Sequence, residues 1–150
     1  MSETYIPAAV RRLVRTRADG LCEYCLVAED VRGLPLEVDH VISEKHHGAT
    51  EGDNLALACA RCNQAKGTDV GSIDPQTKHF VRFFNPRQDR WADHFELVGA
   101  RIEGLTDIGR VTASIFQLNH PDRLEERELL TEIGRYPSAE ALTRIRPPVA

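Results

Sequence analysis

The chain has 150 residues, 41% of them hydrophobic and 28% charged, with a formal net charge of -4. That size and balance fit one soluble globular domain with a real core. No run reaches the roughly 18 apolar residues that a membrane span needs, and residues 1–10 lack the apolar stretch of a signal peptide, so a cytoplasmic protein is expected. The negative balance argues weakly against nucleic-acid binding, since phosphate contacts usually leave a basic excess.

Charge is segregated along the chain, however. Arg11, Arg12, Arg15 and Arg17 form a basic run, while acid collects at Glu29, Asp30, Glu125, Glu126 and Glu128. Taken alone, the arginine run is slightly better explained as a solvated helix face than as a phosphate-binding patch.

The predicted elements begin with a short amphipathic helix. Pro7 suits its first position, Val10, Leu13 and Val14 recur at helical spacing, and Gly20 terminates it. Cys22-Glu23-Tyr24-Cys25 follows, then a turn at Gly33-Leu34-Pro35. Residues 36–42, Leu-Glu-Val-Asp-His-Val-Ile, have the β-branched content and partial alternation of a strand. A loop over 43–53 holds His46 and His47, both better explained as solvated. Residues 54–58 return as a second short strand, and residues 60–66 form a helix stopped by Gly67. Strand, loop, strand, helix is a ββα unit, and the fold class is α+β.

The two C-x-x-C knuckles, Cys22/Cys25 and Cys59/Cys62, use every cysteine in the chain. Two disulfides, a redox pair and buried structural thiols are the competing explanations. Paired knuckles some tens of residues apart in a reduced compartment favour a closed four-thiolate zinc site. With all four positions filled by protein, that zinc is structural, and it clamps the region before Cys22 to the region after Cys59.

Asp39-His40, Asn54-Leu55 and the run from Cys59 through Asn63 to Gly67 together resemble the HNH endonuclease family, whose fold is the ββα-metal finger and many of whose bacterial members carry flanking zinc knuckles. Asn63 stands where the family's last histidine falls, as in the HNH nuclease domain of CRISPR effector enzymes. The resemblance implies a metal-dependent endonuclease that hydrolyses phosphodiester bonds of DNA. It makes Asp39 and Asn63 oxygen ligands of one divalent cation and His40 the general base. An imidazole suits that task because its charge changes near neutral pH. An all-oxygen shell with two protein ligands favours Mg²⁺, with Mn²⁺ able to substitute. Asn54, the middle letter of the motif, is expected to brace the loop by hydrogen bonding to backbone rather than to touch metal. Lys66 either approaches the phosphate or caps the helix as a surface lysine.

Asp39 and His40 are adjacent, so a regular strand would turn them to opposite faces. A twist, a bulge or a strand end is therefore expected at this pair.

Residues 1–70 are assigned to the nuclease core and 71–150 to a C-terminal extension packed on it. Residues 68–75 are expected to be a polar, irregular link. Phe80, Phe83, Phe84, Trp91 and Phe95 follow with Arg82, Arg87 and Arg90. They can stack bases and grip phosphates, but aromatics chiefly supply buried area, so wrapping onto the core is the favoured role. The segment Phe84-Asn85-Pro86-Arg87, with Trp91 and His94-Phe95, is similar to an extension of some bacterial HNH proteins. A strand over 95–103, a helix starting at or just before Thr112, and a helix opened by Pro121 and running through Leu130 are predicted, then a loose tail from Arg135.

Two further functions compete: a non-catalytic, zinc-stabilised nucleic-acid-binding module, and an RNA-directed nuclease using the same site. The acidic charge implies weak, salt-sensitive substrate binding by this chain alone and a protein partner that delivers it. No residue argues for a particular oligomer.

Overall fold

The computed structural model describes residues 4–33 and 35–146. Leu34 of the predicted turn and Pro147 and Pro148 of the predicted tail lie outside the described residues. None of the described helices is long and apolar enough to cross a membrane. Small antiparallel hairpins and short helices make an α+β fold.

Helix α1 spans Ala8–Arg17, with Pro7 as its cap rather than its first residue. Val14 is fully buried, Val10 half-buried and Leu13 exposed. The arginine run is not simply a solvated face. Arg15 donates to Glu29 Oε2 at 2.5 Å and to the Leu36 carbonyl at 3.0 Å. Arg17 donates to the Leu55 carbonyl at 2.6 Å and also to that of Gly52. Both are pins that fix α1 on the segments flanking the hairpin; Arg11 and Arg12 stay exposed.

A single turn, α2 (Glu29–Arg32), follows the first knuckle and ends at Gly33 in the left-handed region, φ 67°. Strand β1 (Glu37–His40) pairs antiparallel with β2 (Leu55–Ala58), Glu37 opposite Ala58 and His40 opposite Leu55. The predicted strand over 36–42 is trimmed because its partner has only four residues. β2 is buried along its whole length. Its outer edge is closed by the knuckle: the Glu23 amide donates to the Leu57 carbonyl at 2.9 Å, and Glu23 Oε2 accepts from the Leu57 amide at 2.9 Å. Helix α3 (Ala60–Lys66) ends at Gly67 with φ 55°, as predicted.

The stretch expected to be an irregular link contains strand β3 (Gly71–Ile73), which pairs with β4 (Phe80–Arg82). Three-residue strands leave no periodicity to detect. Gly71 permits the pairing, since a Cβ there would lie 2.5 Å from the Val81 carbonyl oxygen. One helical turn, α4 (Trp91–His94), leads into a hairpin of β5 (Phe95–Val98) and β6 (Arg101–Gly104), where a single strand was expected. Gly99 at φ 60° makes the reversal.

Helix α5 covers Asp107–Ile115 and starts five residues before Thr112, capped by Thr106 Oγ1 accepting from the Gly109 amide. Gly109 lies inside this helix, where a Cβ would fall 2.0 Å from the His94 carbonyl oxygen, so the glycine serves close packing. Helix α6 runs Pro121–Glu132 with proline in its first turn. The tail is not loose as far as it is described: Tyr136 is buried, and Ser138 caps α7 (Ala139–Ile145).

Among the described residues, buried apolar side chains from both sides of residue 70 form a continuous cluster. Val14, Tyr24, Leu57, Phe84, Phe95, Phe116 and Tyr136 belong to it. The extension is tied to the knuckles by polar contacts as well. Trp91 Nε1 donates to the Tyr24 carbonyl at 2.9 Å, Tyr136 Oη donates to the Cys25 carbonyl at 2.9 Å, and Arg87 pairs with Glu23.

Candidate active site

The four cysteines converge. Their sulfurs all lie within 4.8 Å of one another and all four residues are buried. Zinc–thiolate bonds of about 2.3 Å in a tetrahedron require sulfur–sulfur edges of about 3.8 Å. Cys25 Sγ stands 3.8 Å from Cys59 Sγ. The cluster therefore fits a structural zinc. Backbone amides of Cys25 and Cys62 point at Cys22 Sγ and Cys59 Sγ, at 3.5 and 3.4 Å.

The extension supplies a group that the spacing of the cysteines did not foretell. Arg123 of α6, 4% exposed, donates from Nη2 to Cys62 Sγ at 3.0 Å and from Nη1 to the Phe116 carbonyl at 2.9 Å. Burial opposes its charge, but the pull of Cys62 and Cys25 prevails and holds the guanidinium protonated. Four thiolates around Zn²⁺ carry a net charge of about -2, and Arg123 offsets part of it. Only the tertiary fold brings residue 123 to residue 62.

On the other side of the hairpin, Asp39 and His40 occupy the end of β1. Of the devices expected for this pair, the structure uses the strand end, since the β1–β2 register is unbroken. Asp39 faces α3: Lys66 Nζ lies 3.1 Å from its Oδ2. That oxygen is buried without an aligned hydrogen bond, and burial raises the carboxyl above its usual range against the pull of Lys66. His40, 6% exposed, turns toward the following loop. Its Nε2 is 2.9 Å from Thr50 Oγ1 and 3.7 Å from Glu44 Oε1.

Lys66 is not the surface lysine that the second sequence expectation described. It is 2% exposed and donates to the His40 carbonyl at 2.8 Å, so it ties the C-terminal turn of α3 to the end of β1. Asn63, one helical turn earlier, donates from Nδ2 to Glu37 Oε1 at 3.3 Å. Glu37 and Asp39 are two residues apart on one strand and share a face. Glu37, Asp39, Asn63 and Lys66 therefore meet between β1 and α3. Glu37 was missed although its spacing from Asp39 was visible in the sequence.

Asn54 has the bracing geometry expected of it. Its Oδ1 accepts from the Ile42 amide at 2.9 Å, and its Nδ2 donates to the carbonyls of Ile42 and Ala49 at 2.9 and 2.8 Å. One side chain thus closes the loop that carries Thr50. Gly48 makes that closure possible, because a Cβ there would fall 1.7 Å from the Ile42 oxygen. His46 and His47 are exposed. Tyr24, inside the first knuckle, is an additional buried group whose hydroxyl lacks a hydrogen-bond partner. Burial first, and the Asp39 carboxylate second, push its phenol well above the usual range.

Residues 22–69 match the family described as HNH endonuclease. The matched third of the chain contains both knuckles, β1, β2 and α3, and its strand–strand–helix order is that of the ββα-metal fold of the family it matches. The match implies a nuclease-type or nucleic-acid-related function with a metal site. No curated protein and no solved structure gave a significant match to the chain.

Proposed function

We propose that the chain is a metal-dependent endonuclease that hydrolyses phosphodiester bonds of DNA. His40 is the general base, and Asp39 and Asn63 hold one Mg²⁺ or Mn²⁺. The observation that carries this reading is the Asp39 Oδ2 oxygen, buried and without an aligned hydrogen bond, between β1 and α3 and one residue from His40. Lys66 Nζ, 3.1 Å away, already gives that oxygen a counter-charge, so the divalent cation of this reading would share the carboxylate with the ammonium and take its second oxygen or the unaligned lone pairs of Oδ2. Asn63 Nδ2 already serves Glu37, which leaves its Oδ1 as the amide's donor to a hard cation.

When bound, the cation supplies positive charge to the phosphate oxygens. The chain's own residues divide the remaining work. His40 Nε2 and Thr50 Oγ1 are 2.9 Å apart, and in this reading His40 takes the tautomer in which Nε2–H donates to Thr50, so that Nδ1 is the nitrogen free to take the proton of the attacking water. Lys66 holds the His40 carbonyl and the Asp39 carboxylate in one place, and Asn54 holds the loop that holds Thr50. Residues 1–70 constitute the nuclease core in this reading, and residues 71–150 an extension that completes the zinc clamp. Free buried thiols suit a reducing, cytoplasmic setting. The net charge of -4 suits weak binding and delivery by a partner protein.

The test is incubation of the zinc-loaded chain with plasmid DNA and with RNA, with Mg²⁺ or Mn²⁺ supplied or withheld; EDTA is avoided because it also competes for zinc. Cleavage that requires the added ion and falls about 10²- to 10⁴-fold in His40→Ala is expected. Cleavage unchanged in His40→Ala refutes the assigned base. RNA cut in preference to DNA transfers the site to an RNA-directed nuclease, and no cleavage of either turns the assignment to a binding module.

A further inference from the structure

Five phenylalanines and one tryptophan are present, and the fold treats them unequally. Phe83, Phe84, Trp91, Phe95 and Phe116 are all at most 5% exposed, whereas Phe80 is 64% exposed. Phe80 stands directly across the β3–β4 hairpin from Ile73, itself 51% exposed, so the two make an apolar pair at the base of the tip. Lys78 and His79 are exposed beside them.

An exposed aromatic on a loose loop would mean little, but this tip is tightly built. Asp74 is fully buried, and its carboxylate accepts from Arg110 Nε and Nη2 of α5 at 3.1 and 2.9 Å and from Thr77 Oγ1 at 2.9 Å. The Asp74 amide donates to the His79 carbonyl at 2.8 Å, and the Lys78 amide returns to the Asp74 carbonyl at 2.9 Å. A buried carboxylate–guanidinium pair thus fixes a protrusion whose Ile73 and Phe80 remain largely in water.

The hairpin also grows directly out of the proposed active site. Its root, residues 67–70, follows Lys66, and Ser43 Oγ, three residues past His40, donates to the Thr68 carbonyl at 3.0 Å. Ile73 is seven steps along the chain from Lys66, a span of at most about 25 Å. That is about seven base steps of duplex rise.

We infer that Phe80, with Ile73 beside it, is a stacking platform for an unpaired nucleobase of the substrate near the cleaved phosphate, with Lys78 reaching the adjoining backbone. This rests on the nucleic-acid substrate proposed above. A phenyl face accepts any base, and a neighbouring ammonium adds the phosphate contact typical of single-strand binding. The bases of an intact duplex are already stacked, so the platform favours single-stranded, gapped or bulged substrate over continuous duplex.

The experiment measures fluorescence anisotropy of labelled single-stranded, bulged and duplex oligonucleotides against the zinc-loaded chain in a His40→Ala background, which prevents cleavage. Phe80→Ala is expected to weaken binding of single-stranded and bulged probes about 5- to 150-fold, with little change for duplex and an unchanged melting temperature. Phe80→Trp should restore binding, and its added indole fluorescence should be quenched by the probe. Lys78→Ala should lower affinity with a shallower salt dependence. Equal affinity of Phe80→Ala and its parent for every probe overturns the platform while leaving the nuclease reading intact. No binding by the parent to any probe also overturns the platform, while the nuclease reading is decided separately by the cleavage assay.

Discussion

Replacing Arg123 by methionine keeps much of the side-chain volume but removes the cation from the four-cysteine cluster. Two buried partners are stranded: Cys62 Sγ, contacted at 3.0 Å, and the Phe116 carbonyl, contacted at 2.9 Å. An unsatisfied buried acceptor costs about 1–3 kcal/mol, and breaking a buried charge pair costs about 3–5 kcal/mol. These figures overlap, so about 3–5 kcal/mol is the expected total. For a domain of this size each kcal/mol moves the melting temperature by about 2–4 °C, which gives a fall of roughly 6–20 °C. Because the guanidinium favours the dianionic zinc–thiolate state over four neutral thiols, its loss should also speed zinc transfer to a chromophoric chelator. Calorimetry of the zinc-loaded variant, paired with that transfer assay, measures both effects. Arg123→Lys should recover part of each, since it keeps the charge but not the planar fork. An Arg123→Met protein that melts within about 2 °C of its parent and yields zinc at the parent rate would show that the cluster needs no counter-charge.

Asn54→Ala removes all three loop-closing hydrogen bonds; plasmid cleavage should fall about 10- to 100-fold through misplacement of Thr50 and His40, while zinc content and far-UV circular dichroism stay at parent values. Gly48→Ala drives a Cβ into the Ile42 carbonyl and the Asn54 amide and should cost about 1–3 kcal/mol in urea unfolding; the Gly48→Ala, Asn54→Ala double variant should lose less than the sum of the two single losses, since both open one loop. Asp74 is held by Arg110 well below the usual carboxylate range. Its charged form therefore favours the folded state: that stability is complete above the unfolded value of about 4 and is lost as the pH falls from there toward the folded one. Asp74→Asn should accordingly melt below its parent at pH 7, with the gap narrowing at pH 3; a gap independent of pH would refute the pairing.

Local chemistry made the central third legible. The C-x-x-C spacing, the β-branched run before Asp39-His40, and the helix formers between Cys59 and Gly67 are short-range signals, and the structure has the two knuckles, β1, β2 and α3 where they point. Asn54 was legible as a brace because a short amide beside a glycine-containing loop has backbone groups within its own reach. The remainder depends on pairings between distant residues. β3 and β4 are too short for periodicity, Gly109 was opaque until the His94 carbonyl stood against it, and Tyr136 gave no sign that it would be buried on the Cys25 carbonyl. Charged side chains were the least legible of all. Sequence composition says that arginines and lysines prefer water, yet Arg15, Arg17, Lys66 and Arg123 all spend their donors on carbonyls, carboxylates or thiols. The amino-acid sequence by itself determined which residues form the four-cysteine centre, because ligand type and spacing are local properties. The tertiary structure alone decided that Arg123 stands beside that centre and that Phe80 stays exposed, because burial and charge pairing are properties of the assembled interior.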